Sequence, residues 1–316
     1  MKVGGRKLGR LDRIGESCVV QRFAGVGADK SSNLTRIGWG SALRTSGSTP
    51  MTKVRLVSAA GLLVLAASGY FLLIYVTQAS APAGPGSIGQ IDLWTAALFL
   101  HIRNPALVHL FTLVTAFGYW GVVFLLAGTA SVTMWLYRRT RYVPGLWFGL
   151  IGNQTTVSWL KTLFDRPRPE FAIYRENSAA FPSGHSAASV VVFGFLTYVL
   201  IRERVGPRIV TAVAGFLLII LVGLSRLYLL EHYLSEVLSG YLVGAVWLVL
   251  AICVTELRIP EFDNGEIRKV GPWRRFALVA VVVCTGMAVW LLAESYQRGL
   301  TFTDTPLSRA SRTSTP

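Results

Sequence analysis

Seven stretches of this chain stay apolar for about the 20 residues that a helix needs to cross a bilayer. They cover 54–77, 119–137, 143–163, 186–203, 208–226, 233–255 and 276–296. No soluble architecture buries so many runs of that length, so the pattern predicts an all-α, polytopic membrane bundle. Composition agrees, with 52% hydrophobic and only 15% charged residues among 316, too little polar surface for a water-soluble domain.

A formal net charge of +15 suggests nucleic acid at first sight, but its distribution argues against that. Residues 1–55 hold eleven Lys or Arg against three acids. Most other basic residues sit in short gaps between apolar runs, where they orient helices. With the N-terminus cytoplasmic, segments 1–55, 138–142, 202–208 and 257–275 carry 11, 3, 3 and 5 basic residues. Nine remain for the opposite face, several of them beside histidines, where anchoring is not their role. The sequence therefore predicts a cytoplasmic N-terminus, no nucleic-acid partner and a lipid environment.

Residues 1–53 form a Gly-, Ser- and Arg-rich tail without apolar periodicity. Two readings stay open: a basic cytoplasmic tail, or a chain that begins at Met51. The expected core spans 54–256, followed by a cytoplasmic loop (257–275), an extra transmembrane helix (276–296) and a tail (297–316). Between the first two spans, the segment around His101, Arg103, Asn104 and Pro105 predicts an interfacial helix and a short re-entrant helix. His101 and His109 are read as interfacial structure. Cys18, Cys253 and Cys284 show no disulfide or metal spacing and are expected to be buried structural thiols.

Topology gathers ionisable residues at one boundary. Lys161 ends the third span, and "RPRP" (166–169) follows it. "FPSGHS" (181–186) opens the fourth, Ser225 and Arg226 close the fifth, and His232 opens the sixth. Lys161, Arg168 and Arg226 together call for an anion, and guanidinium forks suit phosphate oxygens. Ser183, Gly184 and His185 begin a helix, whose amides are a ready anion site. On a helix Glu236 shares a face with His232, so it can fix one imidazole nitrogen and leave the other free to attack. His185 would then protonate the leaving oxygen. The predicted chemistry is phosphoryl transfer through a phosphohistidine, with the cations and amides stabilising charge. Two rivals remain: a metal held by His232 and Glu236, which the neighbouring cations disfavour, and two histidines that merely cap helices.

These residues resemble the type 2 phosphatidic acid phosphatase (PAP2) superfamily, whose signature is Lys-x6-Arg-Pro, Pro-Ser-Gly-His and Ser-Arg-x5-His-x3-Asp. Lys161, Arg168 and Pro169 fit the first part, and Pro182 to His185 fit the second. Ser225, Arg226 and His232 fit the third, with Glu236 in place of Asp. The resemblance implies a six-helix core and a site without metal or other cofactor, facing the periplasm in a bacterial inner membrane. His232 would be the nucleophile, His185 the acid and base, and Glu236 the group that orients His232. Lys161, Arg168, Ser183, Gly184 and Arg226 would bind phosphate. The expected substrate is a membrane lipid phosphate or diphosphate: phosphatidic acid, phosphatidylglycerol phosphate or undecaprenyl diphosphate. A phosphotransferase with the same site, or an inactive anionic-lipid binder or transporter, are the alternatives.

Overall fold

The computed structural model describes residues 87–174, 176, 178–258 and 272–299, with isolated helical positions between 61 and 69. The expected tails, most of the first span, Cys18 and most of the 257–275 loop lie outside the described residues. Every regular element within them is helical: α1 (Ile88–His101), α2 (Pro105–Ala116), α3 (Trp120–Leu136), a 3-10 turn (Thr140–Tyr142), α4 (Val143–Phe164), α5 (Gly184–Arg202), α6 (Arg208–Tyr228), α7 (Leu234–Arg258) and α8 (Pro272–Gly299).

Among these, α5, α6, α7 and α8 are long and apolar enough to cross a membrane, and α2 with α3 forms a further candidate bent by 49°. That is fewer than the seven runs read from sequence. Helix α4 accounts for part of the difference. Its 22 residues reach ~33 Å, but Asn153, Gln154, Thr155, Thr156, Ser158 and Lys161 dilute its apolar character. The segment before α3 is two helices, as expected, and Asn104 and Pro105 divide them. Asn104 caps α2 by accepting the Leu107 N–H at 2.9 Å, with Pro105 at the first helical position.

Helix α5 is the centre of the bundle. Its residues Val191, Val192 and Phe195 join Leu146 and Leu150 of α4, Val222 of α6 and Ala251 of α7 in one buried cluster. Close approach of α7 depends on Gly240, where a Cβ would stand 2.4 Å from the Ser183 carbonyl oxygen. A second cluster, Val108, Ile173, Tyr174, Tyr228 and Leu229, closes one end of the bundle. There the Tyr228 hydroxyl takes the Asn104 N–H (3.0 Å) and donates to the Ile102 carbonyl (3.2 Å), tying the α1–α2 junction to the end of α6. The outer surface keeps a band of exposed apolar residues, among them Ile209, Val213, Phe216 and Phe276, which a bilayer covers. Cys253 is half-buried and Cys284 is exposed. Neither is the buried core thiol expected from sequence, because an apolar run in a membrane helix turns part of its circumference to lipid rather than to protein.

Candidate active site

The end closed by Tyr228 is where the sequence motifs meet. Asp165 ends α4 in the left-handed conformation (φ 38°) and turns the chain into the Arg166–Pro169 run. Leu230, at φ 53°, wraps the end of α6 so that the N–H groups of Glu231 and His232 return to the Arg226 carbonyl (3.0 and 3.4 Å). A bulky residue in that conformation is costly, and here it places His232 back beside Arg226.

His232 is therefore in the turn before α7, not on the helix as the spacing suggested. The expected contact forms nonetheless: Nδ1 lies 3.0 Å from Glu236 Oε2. That oxygen also accepts the Tyr233 N–H at 3.1 Å. The other oxygen, Oε1, pairs with Arg166 at 3.0 Å. Arg166 reaches on to buried Asp92 of α1 at 3.2 Å, and Asp92 accepts from the Ser235 N–H (2.8 Å) and hydroxyl (2.6 Å). Both carboxylates are thus held from two directions. Glu236 is fully buried, so its longer arm is fixed by partners and not free to wander.

The cations form the facing wall. Arg226 is completely buried, with Thr115 at 3.0 Å on one nitrogen and Glu176 at 2.9 Å on another. Arg168 meets the same Glu176 at 2.5 Å, the Glu231 carboxylate at 3.2 Å and the Ser178 carbonyl at 2.9 Å. Glu231, whose carboxylate also accepts the Tyr174 N–H at 2.9 Å, orients Arg168. Lys161 donates to Ser178 (3.2 Å) and to the Ala179 carbonyl. Glu176 bridges the two arginines with one oxygen each, which is how two oxygens of a phosphate would engage the same forks.

His185 follows Ser183 and Gly184 at the start of α5. It is seated against Gly118, where a Cβ would come within 2.8 Å of the His185 Cβ. Its Nε2 is buried and has no hydrogen-bond partner. The Ser183 N–H is not available to a ligand, as the sequence had suggested, because it donates to the Glu236 carbonyl at 3.0 Å. The amides left for an anion are those of Gly184 and His185, in the unpaired first turn of the helix. His101 and His109 lie exposed on α1 and α2, outside the cluster.

Electrostatics set the two sides apart. Burial, then the charges of Arg226, Arg168 and Lys161, hold the His232 imidazole well below its ordinary value, so it is neutral with a free lone pair near pH 7. Burial alone would raise the Glu176 carboxyl, but the Arg226 and Arg168 guanidiniums hold it well below the usual carboxylate range. Glu176, Glu231, Arg166, Asp92 and Thr115 were not singled out from sequence. Arg166 stood in the quoted RPRP run, and Asp92 carried a signal as the lone acid in the apolar α1.

Residues 143–260 match the profile of the PAP2 superfamily. Phosphatidylglycerophosphatase B of Bacillus subtilis is 32% identical over 154 residues, covering 45% of this chain and 72% of that protein. The crystal structure of a transmembrane PAP2-type phosphatidylglycerolphosphate phosphatase from the same organism superposes with a TM-score of 0.53 at 25% identity, covering 62% of this chain and 98% of the other. The apolar helices and these relatives make the chain a multi-pass membrane protein. With the three signature segments assembled at one end of the bundle, and a relative matched over most of its length, the chain belongs to the PAP2 superfamily.

Proposed function

We propose that this enzyme hydrolyses the phosphate of a membrane lipid through a phosphohistidine on His232. The observation that carries the reading is the pairing of His232 Nδ1 with Glu236 at 3.0 Å, beside the buried Arg226 and half-buried Arg168 guanidiniums bridged by one carboxylate. The substrate phosphate replaces Glu176 between Arg168 and Arg226, with Lys161 and the Gly184 and His185 amides around it. His232 keeps its Nδ1 proton on Glu236 and attacks phosphorus with Nε2. The P–N bond forms as the bond to the leaving oxygen breaks, and His185 gives that oxygen a proton. A bound phosphate dianion favours the imidazolium of His185 that this step requires. In the second half-reaction His185 takes a proton from water, whose oxygen attacks phosphorus. Inorganic phosphate leaves and His232 returns to its neutral form. Glu236 supports the positive charge on the phosphorylated imidazole, and the cations stabilise charge on the equatorial oxygens.

The named activity of the Bacillus subtilis relatives makes phosphatidylglycerol phosphate the first substrate to test, with phosphatidic acid and undecaprenyl diphosphate beside it. The site lies at the end of the bundle away from Arg138, Arg139, Arg141, Arg202, Arg204 and Arg208. By the positive-inside rule that opposite end is cytoplasmic and the site faces the periplasm of an inner membrane. The test is phosphate release by the purified protein from each lipid in EDTA, beside His232→Ala. Release that survives chelation and disappears in the variant supports the reading. Equal release by the variant, or none from any lipid by the wild type, overturns it.

A further inference from the structure

Helix α8 lies beyond the residues that match the superfamily profile, yet its last turns reach the site. It rests on α3, where Thr285 Oγ1 meets Thr129 Oγ1 at 2.8 Å. Along most of its length it shows Val279, Val282, Val283, Met287 and Trp290 to the surface, as a lipid-facing anchor would. Near the site it changes character. Ala293 is buried, and the Tyr296 ring packs on Tyr119 (centroids 4.7 Å apart) and lies 6.3 Å from the His185 ring.

The Tyr296 hydroxyl is the informative atom. It is sealed from solvent and makes no hydrogen bond of good geometry, although it lies within reach of the Arg226 guanidinium and close enough to Glu176 to feel its charge. Two neighbours share the condition: His185 Nε2 and Arg226 Nε are also buried without a partner. A buried tyrosine hydroxyl normally finds a partner, and leaving one unmet costs free energy. The stacking on Tyr119 does not need the hydroxyl, because a phenylalanine ring would serve equally. An oxygen-rich anion seated over Arg226 would supply acceptors to the hydroxyl and the guanidinium at once.

We propose that Tyr296 is a substrate-binding residue supplied by the C-terminal helix, its hydroxyl donating to the bound phosphate on the side where His185 meets the leaving oxygen. This rests on the phosphatase reading above and adds a group outside the superfamily signature. Helix α8 is then a wall of the site as well as an anchor.

The test is calorimetric titration of orthophosphate into the full-length purified wild type, Tyr296→Phe and Lys161→Gln, each with its thermal melt recorded. Loss of one hydrogen bond to a charged ligand is expected to weaken phosphate about tenfold in Tyr296→Phe, while the melting temperature of the free protein does not fall and rises if the unmet hydroxyl is costly. Lys161→Gln should weaken it as well. If Tyr296→Phe binds phosphate within about twofold of the wild type while Lys161→Gln does not, Tyr296 only packs, and the phosphate site stands without it. If neither variant differs from the wild type, the cluster is not the phosphate site and both readings fall.

Discussion

The two ends of this bundle solve the same electrostatic problem in opposite ways. At the end away from the site, Arg139 (2.9 Å), Arg141 (2.8 Å) and the Tyr142 hydroxyl (2.6 Å) converge on Glu203, and Tyr198 (2.7 Å) and Arg202 (3.3 Å) on Glu256. The charged groups here keep some contact with solvent, although Tyr142 is buried, and the acids answer the cations around them. At the site end Arg226, Glu231, His232 and Glu236 are all buried, and polar atoms of His185 and Arg226 are left without partners. Charges at a surface can be neutralised locally and left there. Buried charges held with unmet hydrogen-bonding capacity are the signature of a site kept ready for a ligand.

Four changes break or sharpen that contrast. The largest effect short of removing the nucleophile is expected from Glu236→Gln. The amide keeps the shape but not the charge that supports a phosphorylated His232, so kcat should fall about a hundredfold or more with little change in KM. The pH profile tests the same pair. Protonation removes the lone pair of His232, so kcat/KM should be lost only as pH falls through its lowered value, and the acid limb should lie well below the ordinary histidine range. A limb at about 6.5 or above would mean that burial and the surrounding cations do not act on His232.

Glu176→Gln should change affinity in the other direction. Removing the carboxylate that bridges Arg168 and Arg226 frees both forks, and orthophosphate should bind more tightly by something on the order of tenfold. Acidifying the wild type should not mimic this, because the two arginines keep Glu176 ionised through the working range. The smallest effect belongs to the other end. Glu203→Gln should lower stability by about 1 kcal/mol, read from the thermal melt in detergent, and leave turnover unchanged. Loss of activity there would erase the distinction between the two ends.

Local pattern carried much of this architecture, and non-local pairing carried the rest. Helix identity followed from apolar runs, and Lys161, Arg168, His185, Arg226 and His232 could be brought together because each sits at the end of a run. Spanning was harder to read for α4, where Gly149, Gly152 and Thr156 serve contact with α5 and α7 and so dilute its hydropathy. The Ser183 amide was misread because its acceptor, the Glu236 carbonyl, belongs to a different helix. Glu176 lies in an irregular connection where no periodicity marks it. Arg166 had a motif around it but no visible partner, since Asp92 and Glu236 approach from α1 and α7. Tyr296 was not singled out from sequence, because only the packing of α8 on α2 and α3 brings it to Arg226.

The central claim is that phosphate passes through His232. The most direct measurement is an acid- and an alkali-quenched reaction of the purified enzyme with lipid radiolabelled in its phosphate, followed by mapping of the labelled residue. The account predicts label on the wild-type protein that is stable to alkali and labile to acid, located on His232 and absent from His232→Ala. Steady phosphate release with no labelled protein under either quench would mean that water attacks the substrate directly, and His232 would then be a base and not a nucleophile.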